Sequence, residues 1–317
     1  PRDIISFGER HLMLYQSSKA GHESSQATSF LLSSDGLHWR DSPANPSFAR
    51  IEQPWQGTRA MAEAIAYDEE KERWVLLFTG NGADHIPGVR AAGLAYSKNL
   101  QDWRLEPSNP VITMEDVDWN DGEATRTYVR GLKKYQGTWY AWVQANREGR
   151  RISERNANVD YEGSDGYNLG LLKSDNLIDW ESIEANPIIP AGGDGSWDAH
   201  IVQPGSPVHV DGTWYLAYTN ADRGQIGIAY SDTLESRWTK ASGNPVVDFD
   251  QVDGIDGAET PILTPMGTGW AMYMSVWGPD SSRGRGRLGV ATARIAPEVL
   301  FARDDAKNQS DGEGGAQ

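Results

Sequence analysis

The sequence predicts an all-β fold, a five-bladed β-propeller of four-stranded antiparallel blades, and two observations carry that expectation. The first is a segment that recurs four times: SSDGLHWRDSPANP ending at Pro46, SKNLQDWRLEPSNP ending at Pro110, SDNLIDWESIEANP ending at Pro187 and SDTLESRWTKASGNP ending at Pro245. In every copy a Trp precedes an Asn-Pro by the same interval, as Trp39 and Asn45, Trp103 and Asn109, Trp180 and Asn186, and Trp238 and Asn244 show. Self-similarity at such a period marks a repeat architecture. The second observation is a run of aromatic and aliphatic residues that recurs five times: His11–Gln16, Trp74–Gly80, Trp139–Ala145, Trp214–Asn220 and Trp270–Val276. Short β-branched and aromatic runs bounded by turn residues read as strands.

The elements of one repeat follow in order. A short apolar segment is the first strand, and the aromatic run is the second. Turns such as Gln136-Gly137 and Asp211-Gly212 join the two as hairpins. The third strands are Thr28–Leu32, Ala92–Tyr96, Leu169–Leu172, Gly227–Tyr230 and Leu288–Thr292, and the fourth carries the Trp. Four short strands per unit and five units make the propeller. The Ser and Asp or Asn that open the recurring segment favour a tight turn. The Trp then covers the space between blades, and the Pro takes the chain out of the sheet. The fifth unit, from about Ala258, lacks the Trp…Asn-Pro ending, so its outer strand falls to Ile295–Phe301 or to residues ahead of Pro1. One domain over residues 1–303 and a polar, Gly-rich disordered tail over 304–317 are expected.

Composition narrows the function classes. The 317 residues contain no Cys, which removes disulfides, thiolate nucleophiles and Cys-ligated zinc. A formal net charge of −16 argues against nucleic acid as a partner. No apolar run approaches the ~20 residues that cross a bilayer, so no membrane insertion is expected. Secreted, periplasmic and cytoplasmic locations all stay open, as does the oligomeric state.

In a propeller the innermost strands line a central channel, so charges at the starts of the first strands matter most. These starts read Arg2-Asp3-Ile4-Ile5, Ala62-Glu63-Ala64-Ile65, Val129-Arg130-Gly131-Leu132, Gly205-Ser206-Pro207-Val208 and Ala258-Glu259-Thr260-Pro261. Aligned on the strands that follow, Asp3, Glu63, Gly131 and Ser206 share a register, with Glu259 close to it. Acids from separate blades on one axis raise one another's pKa, as acid/base chemistry requires. The competing expectation is that each acid pairs with Arg2, Arg59, Arg126 or Arg130 and ties blades together.

The connections between blades add Trp55, Trp119 with Asp121, and Trp197 with Asp198 and His200. A Trp beside a polar group is a platform for a sugar ring, or else a packing residue. His200 is open between a general acid, a substrate donor, a ligand of a central ion and a packing residue. The loops over 146–167 and 277–287, the second beginning at Trp277, are rich in Arg. Arg binds carboxylates through a bidentate fork, so these loops suit a uronate or merely offset an acidic rim.

The recurring SxDxxxW segment, the WYLAYT-type strand and the acid opening the first strand resemble the five-bladed propeller glycoside hydrolases: arabinanases, β-xylosidases and arabinofuranosidases, with the invertase-like and levanase-like enzymes. Arg2-Asp3-Ile4-Ile5 resembles that group's opening Asp-Pro segment. Met61 to Asp68 resembles its second-blade Trp-Ala-Pro-Glu segment, with Glu63 in place of the Pro. The chain departs from the pattern at two places. Arg126-Thr127-Tyr128-Val129-Arg130 lacks the third-blade acid, and Gln203-Pro204-Gly205-Ser206-Pro207 lacks the fourth-blade Glu. The resemblance implies a glycosidase that cleaves a glycan between paired carboxyl groups. Asp3 would be the general base or nucleophile and Glu259 or Glu63 the acid. Asp198 and His200 would support them, and Trp55, Trp119, Asp121, Arg130, Trp197 and Trp277 would bind sugar. No cofactor is expected to be required, and the channel is compatible with a structural central ion such as calcium or sodium. Sugar binding without turnover and a protein-interaction propeller are the alternatives.

Overall fold

A computed structural model describes residues 1–7, 10–18, 26–48, 55, 60–80, 90–119, 127–146, 167–193, 195–199, 201, 203–220, 224–266, 269–278 and 287–293. Among these residues the protein is all-β, with short 3₁₀ turns and no α-helix. The first sheet holds β1 (Asp3–Phe7), β2 (Arg10–Ser18), β3 (Gln26–Ser33) and β4 (Arg40–Asp41) in sequence order. The second holds β5 (Ala60–Asp68), β6 (Arg73–Gly80), β7 (Ala91–Ser97) and β8 (Arg104–Leu105). The third holds β9 (Thr127–Tyr135), β10 (Thr138–Asn146), β11 (Tyr167–Ser174) and β12 (Glu181–Ser182). In the fourth, β13 (Val208–Val210), β14 (Thr213–Thr219), β15 (Gln225–Ser231) and β16 (Thr239–Lys240) are joined by β17 (Val247–Asp248), which pairs with β15. The last sheet shows three strands, β18 (Gly257–Met266), β19 (Gly269–Trp277) and β20 (Arg287–Ala293). All neighbouring strands are antiparallel.

Four sheets are therefore complete four-stranded propeller blades, whereas the last unit falls short of the fourth strand expected of it among the described residues. Ile295–Phe301 and the tail over 304–317 lie outside those residues.

The hairpin turns form as the sequence predicts. Gln136-Gly137 and Asp211-Gly212 each place two successive residues at positive φ, 52° and 92° in one and 50° and 86° in the other. That is the turn whose twist matches flanking antiparallel strands.

The recurring segment is a clasp made of three parts. The Ser33, Ser97 and Ser174 hydroxyls accept from backbone N–H groups just ahead of them. Each Trp indole donates to a carbonyl three or four residues back: Trp39 to Gly36, Trp180 to Leu177 and Trp238 to Leu234. Each Asn side chain then pairs with both backbone groups of one third-strand residue, so that Asn45 engages Phe30, Asn109 Leu94, Asn186 Leu171 and Asn244 Ile228. The amide thus replaces the backbone of a fourth strand that is only two residues long.

Two expectations are corrected here. The fourth strands begin one residue after the Trp instead of carrying it. The Pro, cis in all four copies, does not remove the chain from the sheet. Two residues later Phe48, Ile112, Ile189 and Val247 pair back onto Thr28, Ala92, Leu169 and Ile226.

Apolar clusters fill the seams between consecutive sheets. Leu14, Phe30 and Phe48 meet Ile65 and Phe78, and Val75 and Leu94 meet Val129 and Val143. Trp142 and Leu171 meet Leu216 and Trp238, and Ala217 and Ile228 meet Leu263 and Met274. Ile262 and Tyr273 pack on Ile4 and Met13, which joins the last sheet to the first. Each clasp Trp lies in a seam as predicted. Trp39 packs edge-on against Tyr273 and Trp103 against Phe48, with ring centroids 5.6 and 5.9 Å apart.

Candidate functional site

The innermost strands bring acids and bases together through β-bulges. On β5, Ala62 faces Phe78 and Ala64 faces Leu77, which leaves Glu63 unpaired between them. On β9, Val129 faces Val143 and Gly131 faces Trp142, which leaves Arg130 unpaired. On β18 the register shifts between Glu259 and Ile262, where Thr260 has φ +52°. A bulge re-aims the side chain of its extra residue.

The bulges correct the register inferred from sequence. His11, Trp74 and Trp139 each face the motif Ser on the neighbouring third strand, so Leu14, Leu77 and Trp142 are equivalent positions. Their first-strand partners are Asp3, Ala64 and Gly131. Glu63 is equivalent to Arg130 and Arg2 and not to Asp3. Counting along the sequence missed this because a bulge adds a residue without adding a pair.

Glu63 and Arg130 are both buried. Oε2 of Glu63 lies 3.2 Å from Nη1 of Arg130 and 3.6 Å from Nη1 of Arg2, while Oε1 is buried without a hydrogen-bond partner. Each Arg is steadied by a Gln of its own blade. Arg2 donates to Gln16 (2.9 Å) and Arg130 to Gln144 (2.8 Å). Gln16 in turn donates to the Ala62 carbonyl, and Gln144 to that of Ile201. Blades one and three thus present matching Arg–Gln pairs to a single Glu of blade two. Burial lowers the pKa of Arg130, and the nearby Arg2 and Arg90 add to that, while Glu63 opposes it. The guanidiniums of Arg90 and Arg130 lie 4.4 and 4.6 Å from the ring centroid of Tyr128, a cation–π arrangement.

Asp3 has no exposed surface. Oδ1 accepts from the backbone N–H of Ile4 (2.8 Å) and Oδ2 from that of Ile65 (3.0 Å), two residues beyond Glu63. Lys133 Nζ is 3.8 Å from Oδ1. Burial raises the pKa of Asp3, and Lys133 and the two N–H groups restrain that rise. The Ser206 hydroxyl is near enough to Asp3 to favour its charge, yet it is buried with no hydrogen-bond partner. At the opposite end of the same strands lies a cavity of ≈ 480 Å³, walled by Ile5, Phe7, Ile65 and Tyr67 and edged by Lys133 and Glu70.

Glu63 and Arg130 are therefore paired, and Asp3 binds the backbone two residues beyond Glu63. The other sequence-predicted residues are placed differently. Asp198 is buried in blade four, 2.5 Å from Lys240 Nζ and within hydrogen-bond reach of Ser196 and Tyr218. Glu259 faces Ser275 across the sheet and lies near Pro1. The rings of Trp55, Trp119 and Trp197 each cover a third-strand glycine: a Cβ on Gly93, Gly170 or Gly227 would lie 2.5, 2.4 or 2.4 Å from them. Trp55 also stacks on Phe78, and Trp197 on Tyr218, both at 5.5 Å between centroids. Each indole thus takes part in packing, the alternative weighed for these Trp residues from the sequence. Trp277 is buried and pairs with Gly257. Asp121, His200, Arg59 and Arg126, with the Arg-rich stretches over 147–166 and 279–286, lie outside the described residues. Among the described residues no three His, Cys, Asp or Glu side chains gather as they would around a metal ion.

Sequence reading missed Gln16, Gln144, Arg90 and Tyr128. The equal 14-residue spacing of Arg2–Gln16 and Arg130–Gln144 is the signal that could have found the first two.

No protein-family model matches the chain, and no curated protein matches it in sequence. Solved structures do match in fold. A thermostable family-43 glycoside hydrolase superposes with a TM-score of 0.61 at 16% identity, over 91% of this chain and 87% of its own. A Bombyx mori family-32 β-fructofuranosidase gives 0.60 at 14% identity over 92% of this chain, which spans 59% of that enzyme. The exo-β-1,3-galactanase of Phanerochaete chrysosporium gives 0.59 at 13% identity, with 92% and 59% covered. The chain has the fold of the β-propeller glycoside hydrolases, and its sequence is far from those compared.

Proposed function

We propose that the protein is a glycoside hydrolase built on a closed five-bladed propeller, acting on an oligo- or polysaccharide at the channel between Asp3 and Glu63. The observation that carries this reading is the environment of Asp3. It is a first-strand carboxyl, buried, raised in pKa and held by two backbone N–H groups. A carboxyl tuned upward by its surroundings is what general acid–base work on a glycosidic bond requires. Asp3 acts as general base or nucleophile. Glu63, with one oxygen unpartnered and two residues from the Ile65 N–H that Asp3 binds, is its complement. The likeness to family-43 and family-32 enzymes supports the class and leaves the sugar open. A screen of labelled furanosides and pyranosides tests the proposal: turnover that Asp3→Asn abolishes sustains it, and turnover that Asp3→Asn leaves intact overturns it.

A second reading is sugar binding without hydrolysis. It is favoured by Glu63 being held between two guanidiniums, and by Ser206 near Asp3 and Gly131 beside Ser206, where the sequence carries no acid. Saturable binding of a glycan that releases no product would establish it.

A further inference from the structure

The described centre carries more positive charge than its acids cancel. Arg2, Arg90 and Arg130 come from three different blades, and all act on the same spot. Arg2 and Arg130 share the single oxygen Oε2 of Glu63. Arg90 and Arg130 each lie over the ring of Tyr128. Nε of Arg90 is buried and has no hydrogen-bond partner. Arg130 feels both of the other guanidiniums as repulsive neighbours. Among the described residues the acids on this side are Glu63 and, near Pro1, Glu259. Three guanidiniums against two carboxylates leave one net positive charge, in a chain whose overall charge is −16. Asp3 and Lys133, deeper in the channel, offset each other.

Concentrating like charges where they repel is costly unless something negative joins them. Arg90 has a buried donor ready for it, and Arg2, whose side chain is 19% exposed, marks the side open to solvent. A residual single charge suits a monoanion better than a dianion. Guanidinium forks match the two oxygens of a carboxylate. We propose that Arg2, Arg90 and Arg130 seat the carboxylate of an acidic sugar, a uronic acid residue, so that the glycan handled in the channel is anionic. This rests on the carbohydrate reading above and adds the substrate class to it.

The test measures binding, not turnover, by calorimetric titration at low salt. The probes are methyl galacturonoside and methyl glucuronoside, the neutral methyl galactoside and methyl glucoside, and inorganic phosphate. One uronoside is expected to bind at least about tenfold more tightly than its neutral counterpart. Arg90→Gln is expected to erase that preference and Arg90→Lys to keep part of it, with unchanged melting temperatures showing that both variants fold. Equal binding of acidic and neutral sugars overturns the inference. So does a preference that survives Arg90→Gln, binding of phosphate alone, or no binding at all. The glycosidase proposal fails separately. Hydrolysis of a neutral glycoside without uronoside preference leaves that proposal standing and sinks this one, whereas uronoside preference without hydrolysis of any glycan does the reverse.

Discussion

Glu63 and Arg130 face each other across the seam of blades two and three, each raised out of its strand by a β-bulge, with Oε2 and Nη1 3.2 Å apart and both side chains almost wholly buried. Removing one member of such a pair strands the other's charge in a low dielectric. Glu63→Gln is expected to cost about 3–5 kcal/mol of stability. Combining it with Arg130→Met should recover part of that loss, because the Arg130 charge is then no longer buried without its partner. Urea denaturation of the two single variants and the double variant measures this. Additive losses would show that the two residues are not coupled.

Asp3 makes stability depend on pH in a stated direction. Its folded-state pKa is raised above the reference 3.8, so between the two values the native state holds more protons than the unfolded chain. Stability from this group therefore falls as pH rises through that window, and the penalty is complete above the folded pKa. Asp3→Asn removes the titration. As the pH rises above 3.8 the wild type should lose more stability than the variant, read from urea midpoints. The same variant should lower hydrolysis by about 10²–10⁴-fold if Asp3 does acid–base work.

The blades could be read from the sequence because strand pattern and clasp are local properties. Trp139–Ala145 has an unbroken strand composition whatever surrounds it, and Ser174, Trp180 and Asn186 satisfy backbone groups within their own blade. The centre was read less well. Asp3, Glu63 and Arg130 were found because charges at first-strand starts are conspicuous. Their grouping was misjudged by one residue, since the bulges that lift Glu63 and Arg130 leave no compositional trace. Asp198 looked like a channel acid by its place between blades, yet Lys240, 42 residues away, holds it in blade four. Sequence gave no means of foreseeing that partner.

The Trp119–Gly170 contact separates packing from sugar binding. A Cβ on Gly170 would lie 2.4 Å from the indole, which must then move. Gly170→Ala should cost about 1–3 kcal/mol as an overpacked contact. Adding Trp119→Ala should relieve that particular clash, so the double variant loses less than the sum of the single ones. Thermal unfolding reads the stabilities, and a glycan titration reads the affinity. If Trp119→Ala weakens sugar binding while leaving the melting temperature alone, the ring is a platform after all.

Asn186 offers the cleanest test of the clasp, since its side chain alone satisfies both backbone groups of Leu171 and also donates to Ser182. Asn186→Ala leaves the Leu171 N–H and C=O without that partner. Two lost bonds of ordinary strength predict about 1–3 kcal/mol of destabilisation. Asn186→Asp keeps the acceptor for the Leu171 N–H but sets a carboxylate against the Leu171 carbonyl, so it should rescue little. Both effects belong to the outer edge of blade three, so ligand binding in the channel should persist in whatever fraction stays folded. Amide hydrogen exchange gives the local readout. Protection at Leu171 should fall in Asn186→Ala well before protection at Val143, in the middle of the same sheet, and equal loss at the two positions would mean that the clasp has no local role.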